Sequence, residues 1–223
     1  MRKIKKKLTI IYEMLEKHFG FQNWWPGESP FEVIVGAILT QNTNWSNVEK
    51  AIDNLKNKDL LLPEKIFSIH EHELASLIRP SGYYNQKSKK IKYFINFFHD
   101  FFHMDIKKMK KIKKYVLRDL LLNVNGIGKE TSDSILLYAL GKKIFVIDAY
   151  TKRIFYRLGF LKNEKEEYDE VRLFFENNLP LELKLYKDYH AQLVMLGKHH
   201  CKKTKPLCEE CPLNDVCEKS VMR

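Results

Sequence analysis

Apolar residues along this chain recur every three or four positions. Ile4, Leu8, Ile11 and Leu15 share one helical face, and Phe31, Ile34, Val35, Ile38 and Leu39 repeat the pattern. The same spacing predicts helices over 46–56, 64–78, 88–102, 115–123, 131–140, 148–158, 167–178 and 183–198, with Pro63, Pro80, Gly82, Gly141 and Pro180 as punctuation. Alternation of period two is not sustained anywhere, and Lys143–Ile147 is too short to count as a strand. The pattern therefore predicts an all-α protein of about ten short helices. No long linker, low-complexity tract or large repeat interrupts it.

Composition narrows the class. The chain has 223 residues, 44% of them hydrophobic and 13% aromatic, which excludes a disordered polypeptide. No apolar run approaches the roughly 18–20 residues that span a bilayer, so no membrane partner is expected. The start, Met1 to Lys7, is basic but leads into an amphipathic segment rather than the apolar stretch of a signal peptide. A cytoplasmic protein is the expectation. Lys and Arg number 39 against 28 Asp and Glu, a net charge of +11 that suits a polyanionic partner as well as a merely basic surface.

Three motifs carry chemistry. Gly126, Ile127 and Gly128, followed by Lys129, Glu130 and Thr131, stand between two helical segments. Glycines there let backbone amides approach a ligand, and a helix starting just after them adds its positive end, so the turn suits a nucleic-acid phosphate. The same glycines also serve a tight helix–helix turn for steric reasons alone. Ile127 is expected to plug the turn into the core. Just upstream, 107–114 holds six lysines in eight positions, either a further phosphate contact beside the turn or a solvated helix face. The second motif is Cys201, Cys208, Cys211 and Cys217, the chain's only cysteines. Four thiolates so close form a closed site for zinc or an iron–sulfur cluster. Only one C-x2-C hook is present, which argues against ordinary zinc ribbons. The third is Asp148, behind an apolar triplet and 20 residues after Gly128. By itself it reads as a helix N-cap.

Together these residues resemble the helix-hairpin-helix DNA glycosylases of the endonuclease III superfamily, over about Trp24 to Cys217. The resemblance implies a helical domain at 25–138 that contains the hairpin. A second lobe would combine 1–24 with 139–223 and carry a cluster loop at 201–217, the target base entering between the two. It makes Cys201, Cys208, Cys211 and Cys217 ligands of a [4Fe–4S] cluster, with zinc the lesser alternative. Gly126, Ile127, Gly128, Lys129 and Thr131 become contacts to the backbone of double-stranded DNA, and Asp148 the catalytic carboxylate. Gln41 resembles the residue that fills the space left by an extruded base. Trp24, Trp25 and Trp45 are candidates to stack on that base, although without the resemblance any given Trp reads first as core.

Departures from the family pattern shape the expected reaction. Bifunctional members carry a nucleophilic Lys at the place matching Glu130; Lys129 lies one position early, about 100° around the helix. A monofunctional enzyme that leaves an intact abasic site is therefore expected. Trp24–Pro26, Leu39–Thr43, Arg79–Lys87 and Gly126–Glu130 resemble the 3-methyladenine DNA glycosylase III branch, some of whose members lack the Cys box. That branch implies an alkylated purine such as 3-methyladenine as substrate, and a monomer is the default for a protein that searches DNA for lesions. The alternatives are a glycosylase for pyrimidine lesions, hypoxanthine or mismatches, a non-catalytic DNA-binding iron–sulfur protein, and, least favoured, an electron carrier.

Overall fold

The computed structural model describes residues 2–218, and every regular element among them is helical. Twelve α-helices follow one another: α1 (Arg2–Phe19), α2 (Pro30–Leu39), α3 (Trp45–Asn57), α4 (Pro63–Ser68), α5 (Glu71–Leu77), α6 (Tyr84–Phe102), α7 (Ile106–Lys111), α8 (Lys114–Leu122), α9 (Lys129–Ser134), α10 (Ala149–Arg157), α11 (Tyr168–Asn178) and α12 (Leu183–His199). The chain forms two compact units, Met1–Trp24 with Lys143–Arg223, and Trp25–Lys142.

In the Trp25–Lys142 unit, α2 is the central element. Ser29 caps it by accepting from the Glu32 N–H, Pro30 starts it, and residues 31–39 are all buried. The expected single helix over 64–78 is two helices. Lys92 of α6 donates to the carbonyls of Ile66 and Phe67 at 2.8 and 2.9 Å and also to that of Ile69. A distant ammonium thus satisfies the carbonyls on which α4 ends, and Ile69 and His70 turn extended. The segment expected at 131–140 begins at Lys129 as α9 and widens into π geometry over Ile135–Ala139.

The other unit is built on α10 and α12, with α1 and α11 against them. Gly197 of α12 lets the helices approach closely, because a Cβ there would lie 2.2 Å from the Tyr150 ring. Buried Ile144–Ile147 leads into α10, with the Phe145 ring stacked on Phe175 at 4.2 Å. The first residue to escape burial after this strip is Asp148.

Candidate active site, hairpin and cysteine loop

Asp148 sits at the N-cap of α10, extended at φ −117° and ψ −178°. Its Oδ1 accepts from the Thr151 N–H at 2.7 Å, and His190 Nε2 of α12 lies 3.5 Å from Oδ2. Burial pushes its pKa upward, but His190 and the Thr151 amide outweigh that and hold the carboxyl below its usual 3.8. The cap and the charged carboxylate are thus one arrangement. His190 was not among the residues expected from sequence. It lies 42 positions from Asp148, and only its place on the buried face of α12 could have marked it.

The turn between α8 and α9 is the hairpin. Ile127 is 4% exposed and its N–H donates to Val124 O at 3.0 Å, which closes the turn. Gly126 has φ +87°, a region only glycine enters without strain. Gly128 is extended at φ −90° and ψ 179° and faces open space. Lys129 is half-buried, Glu130 is exposed, and Thr131 is 7% exposed. A buried pair fixes the two helices: Arg118 of α8 donates from Nε and Nη2 to the two Asp133 oxygens of α9, at 2.7 and 3.2 Å. Gln41, just past α2, donates from Nε2 to Gly126 O at 3.1 Å and to Thr131 Oγ1 at 3.0 Å. It therefore lies folded against the hairpin. The lysines of 107–114 lie one helix upstream of the turn. They form α7 and the corner into α8, and Lys142 ties that corner by donating to Lys110 O and Ile112 O at 2.6 and 2.8 Å.

The three tryptophans divide. Trp25 and Trp45 meet edge to face with ring centroids 5.2 Å apart, and Tyr138 lies 5.3 Å from Trp25. Trp25 packs on Gly36 of α2, where a Cβ would stand 3.4 Å from its indole nitrogen. Both indoles line a cavity of about 170 Å³ with Glu32, Glu49 and Asp53. Trp24 belongs to the other unit, with Lys198 Nζ 5.7 Å from its ring.

Cys201, Cys208, Cys211 and Cys217 line one cavity of about 230 Å³ and form no disulfide. Among the described residues, no three His, Cys, Asp or Glu side chains converge as ligands of one ion. The four thiols surround that volume. Burial pushes the Cys211 thiol up to about 11, and the three neighbouring cysteines add to that. A thiolate at Cys211 thus calls for a cationic centre. Arg153 and Arg157, one turn apart on α10, hold the loop. Arg153 donates to Cys201 O at 2.9 Å and Arg157 to Lys202 O, Lys203 O and Cys201 Sγ at 2.7, 3.1 and 3.3 Å.

Residues 35–180 match the HhH-GPD superfamily of base excision DNA repair proteins. The chain belongs to that superfamily. Residues 201–217 match the iron–sulfur binding domain of endonuclease III, so the four cysteines are an iron–sulfur site and zinc loses its support. The chain is 52% identical to a Methanocaldococcus jannaschii protein provisionally named a DNA repair glycosylase, covering 93% of this chain and 94% of that one. It is 30% identical to endonuclease III of Thermotoga maritima, covering 85% and 83%. The structure of Helicobacter pylori 3-methyladenine DNA glycosylase bound to 1,N6-ethenoadenine superposes with a TM-score of 0.72 at 33% identity, covering 88% and 96%. This HhH-GPD protein is a base excision repair DNA glycosylase. None of its described helices is long and apolar enough to cross a membrane.

Proposed function

We propose that this glycosylase is monofunctional and monomeric, and that it removes alkylated purines such as 3-methyladenine from duplex DNA. The carrying observation is Glu130, exposed in the first turn of α9 where the resemblance puts the nucleophilic lysine of bifunctional members. A carboxylate forms no Schiff base with the sugar, so strand cleavage has no lysine at that position.

Hydrolysis then falls to Asp148. Breaking the N-glycosidic bond builds positive charge on the sugar, and an ionised carboxylate stabilises it. Both oxygens retain acceptor capacity beyond Thr151 and His190, so either can take a proton from the attacking water. An alkylated purine is cationic and already a good leaving group. Trp25 and Trp45 offer indole faces worth about 0.5–2 kcal/mol to such a cation. Lys56 on the same cavity wall is paired with Glu32, and Glu49 and Asp53 beside it leave the net field negative. Gln41 would leave the hairpin to fill the vacated stack, and Gly126, Ile127, Gly128, Lys129 and Thr131 would grip the backbone.

Cys201, Cys208, Cys211 and Cys217 would hold a [4Fe–4S] cluster. When bound, it supplies a rigid cross-link for a loop with little core of its own. Both arginines that hold this loop stand on α10, the helix that Asp148 caps.

Incubating the protein with 3-methyladenine duplex, then splitting each sample between mild and hot-alkali work-up, tests the reading. Strand breaks only after alkali are expected; breaks without alkali overturn the monofunctional assignment. Release of a pyrimidine lesion but no alkylpurine would favour the pyrimidine-lesion alternative. Asp148→Asn keeps a good N-cap and should cut excision roughly 10²–10⁴-fold with lesion binding nearly intact.

A further inference from the structure

Gln41 is held on three sides. Its Nε2 donates to Gly126 O and Thr131 Oγ1, and its Oε1 accepts from Lys90 Nζ of α6 at 2.5 Å. The stem of Lys90 runs under the turn, for a Cβ on Gly126 would lie 2.3 Å from Lys90 Cγ. Gly126 is therefore glycine for two reasons: its φ of +87° and the lysine beneath it. Three residues earlier on the same helix, Lys87 donates to Leu39 O at 2.8 Å and Ser81 O at 2.6 Å, which secures the end of α2 from which Gln41 departs.

We infer that Lys90 is a positioning residue that latches the Gln41 side chain onto the hairpin in the DNA-free protein and releases it when a DNA phosphate reaches the turn. The inference rests on reading Gln41 as the residue that enters the duplex. A phosphate only accepts hydrogen bonds, so it competes for donors. Of the three groups on the Gln41 amide, Gly126 O and Thr131 Oγ1 act as acceptors and Lys90 alone is a donor. A charged oxygen binds an ammonium more strongly than a neutral amide carbonyl does, so the exchange runs toward the phosphate. Gln41 is then left with two neutral bonds, while Lys87 keeps the α2 backbone in place. Gripping the backbone and freeing the wedge become one event.

The inference makes an uncommon demand: removing the latch should tighten binding to undamaged DNA. Gln41→Met leaves Lys90 uncommitted, so affinity for an undamaged duplex should rise several-fold. In a Lys90→Met background the same change should do nothing, whereas in a Lys90→Arg background the gain should persist. Lys90→Met alone should weaken binding and reduce the slope of log K against log salt by about 0.9. A Gln41→Met that fails to tighten binding, or tightens it equally beside Lys90→Met, overturns the latch. Should Gln41→Met melt early by circular dichroism, the Gln41 side-chain NH2 resonances of the unaltered protein carry the test. They must shift as undamaged duplex is added, and unmoved signals overturn the latch. A duplex containing a tetrahydrofuran abasic analogue separates this from the wedge reading. If Gln41→Met keeps the preference for the analogue, the wedge reading fails, while the latch is still judged by the cycle on undamaged DNA.

Discussion

The hairpin at 123–128 and the cysteine loop at 201–217 are both irregular backbone placed at a site of function, yet they are fastened in opposite ways. Around the hairpin the fastenings are internal: the buried Arg118–Asp133 pair, Ile127 sunk into the core, and Gln41 bridging to Gly126 and Thr131. The cysteine loop buries Leu213 and little else, and α10 grips it mainly at its first residues through Arg153 and Arg157. The difference teaches what each turn needs in order to stay folded. One carries its stability in side chains already present; the other depends on what its thiols bind.

The comparison breaks most sharply at Arg118. Arg118→Met takes the guanidinium away from the buried Asp133 carboxylate, and losing one partner of a buried pair costs about 3–5 kcal/mol. Chemical denaturation should show that loss, and removing the Asp133 charge as well should restore much of it. A loss under about 1 kcal/mol would mean that the hairpin does not hang on this pair.

A second internal fastening is sensitive to pH. Lys87 is 2% exposed, and burial, with Lys90 beside it, brings its pKa down from 10.5 to about 8. The unfolded chain therefore binds more protons than the folded one between about pH 8 and 10.5, and stability contributed at this site rises with pH across that window. Relative to Lys87→Met, the unaltered protein should gain up to about 3 kcal/mol over those pH units. A stability difference that stays flat from pH 7 to 10.5 would show that Lys87 titrates like a surface lysine.

For the loop, the corresponding experiment is removal of iron. Chelation or oxidative loss should open 201–217 to protease while hairpin amides keep their exchange protection. Simultaneous loss of protection at both places would end the distinction drawn between them.

Much of this was legible in the sequence, for a physical reason in each case. The cysteines are close in sequence, so their spacing alone defines a local site. Glycines mark the hairpin because the turn demands a conformation other residues resist. The fastenings were harder to read, because charged residues default to solvent. Even so, Lys87 falls at the spacing of buried Ile91, Phe94 and Phe98 on α6, and Arg118 stands between buried Leu117 and Leu121. A charge placed on an apolar stripe was the signal for both. The break between α4 and α5 had no local signal, since the group that ends α4 is Lys92, on another helix.

The lysines of 107–114 give the smallest expected effect. Nearness in sequence placed them beside the turn, but Lys114 already opens α8 and its eight further residues, about 12 Å of helix, intervene. Lys107, Lys108, Lys110 and Lys111 are exposed, and among the described residues none of the four forms an ion pair. If they reach phosphates, these belong to DNA beyond the stretch the turn grips, so the contact exists only on a longer duplex. Lys107→Gln with Lys108→Gln should then lower the salt slope on a long duplex by about 0.9 for each phosphate lost and leave it unchanged on a short one. Equal losses on both lengths would bring the lysines back to the turn's own phosphates. No change on either would make them a solvated face, and the internally fastened hairpin would then grip the backbone without their help.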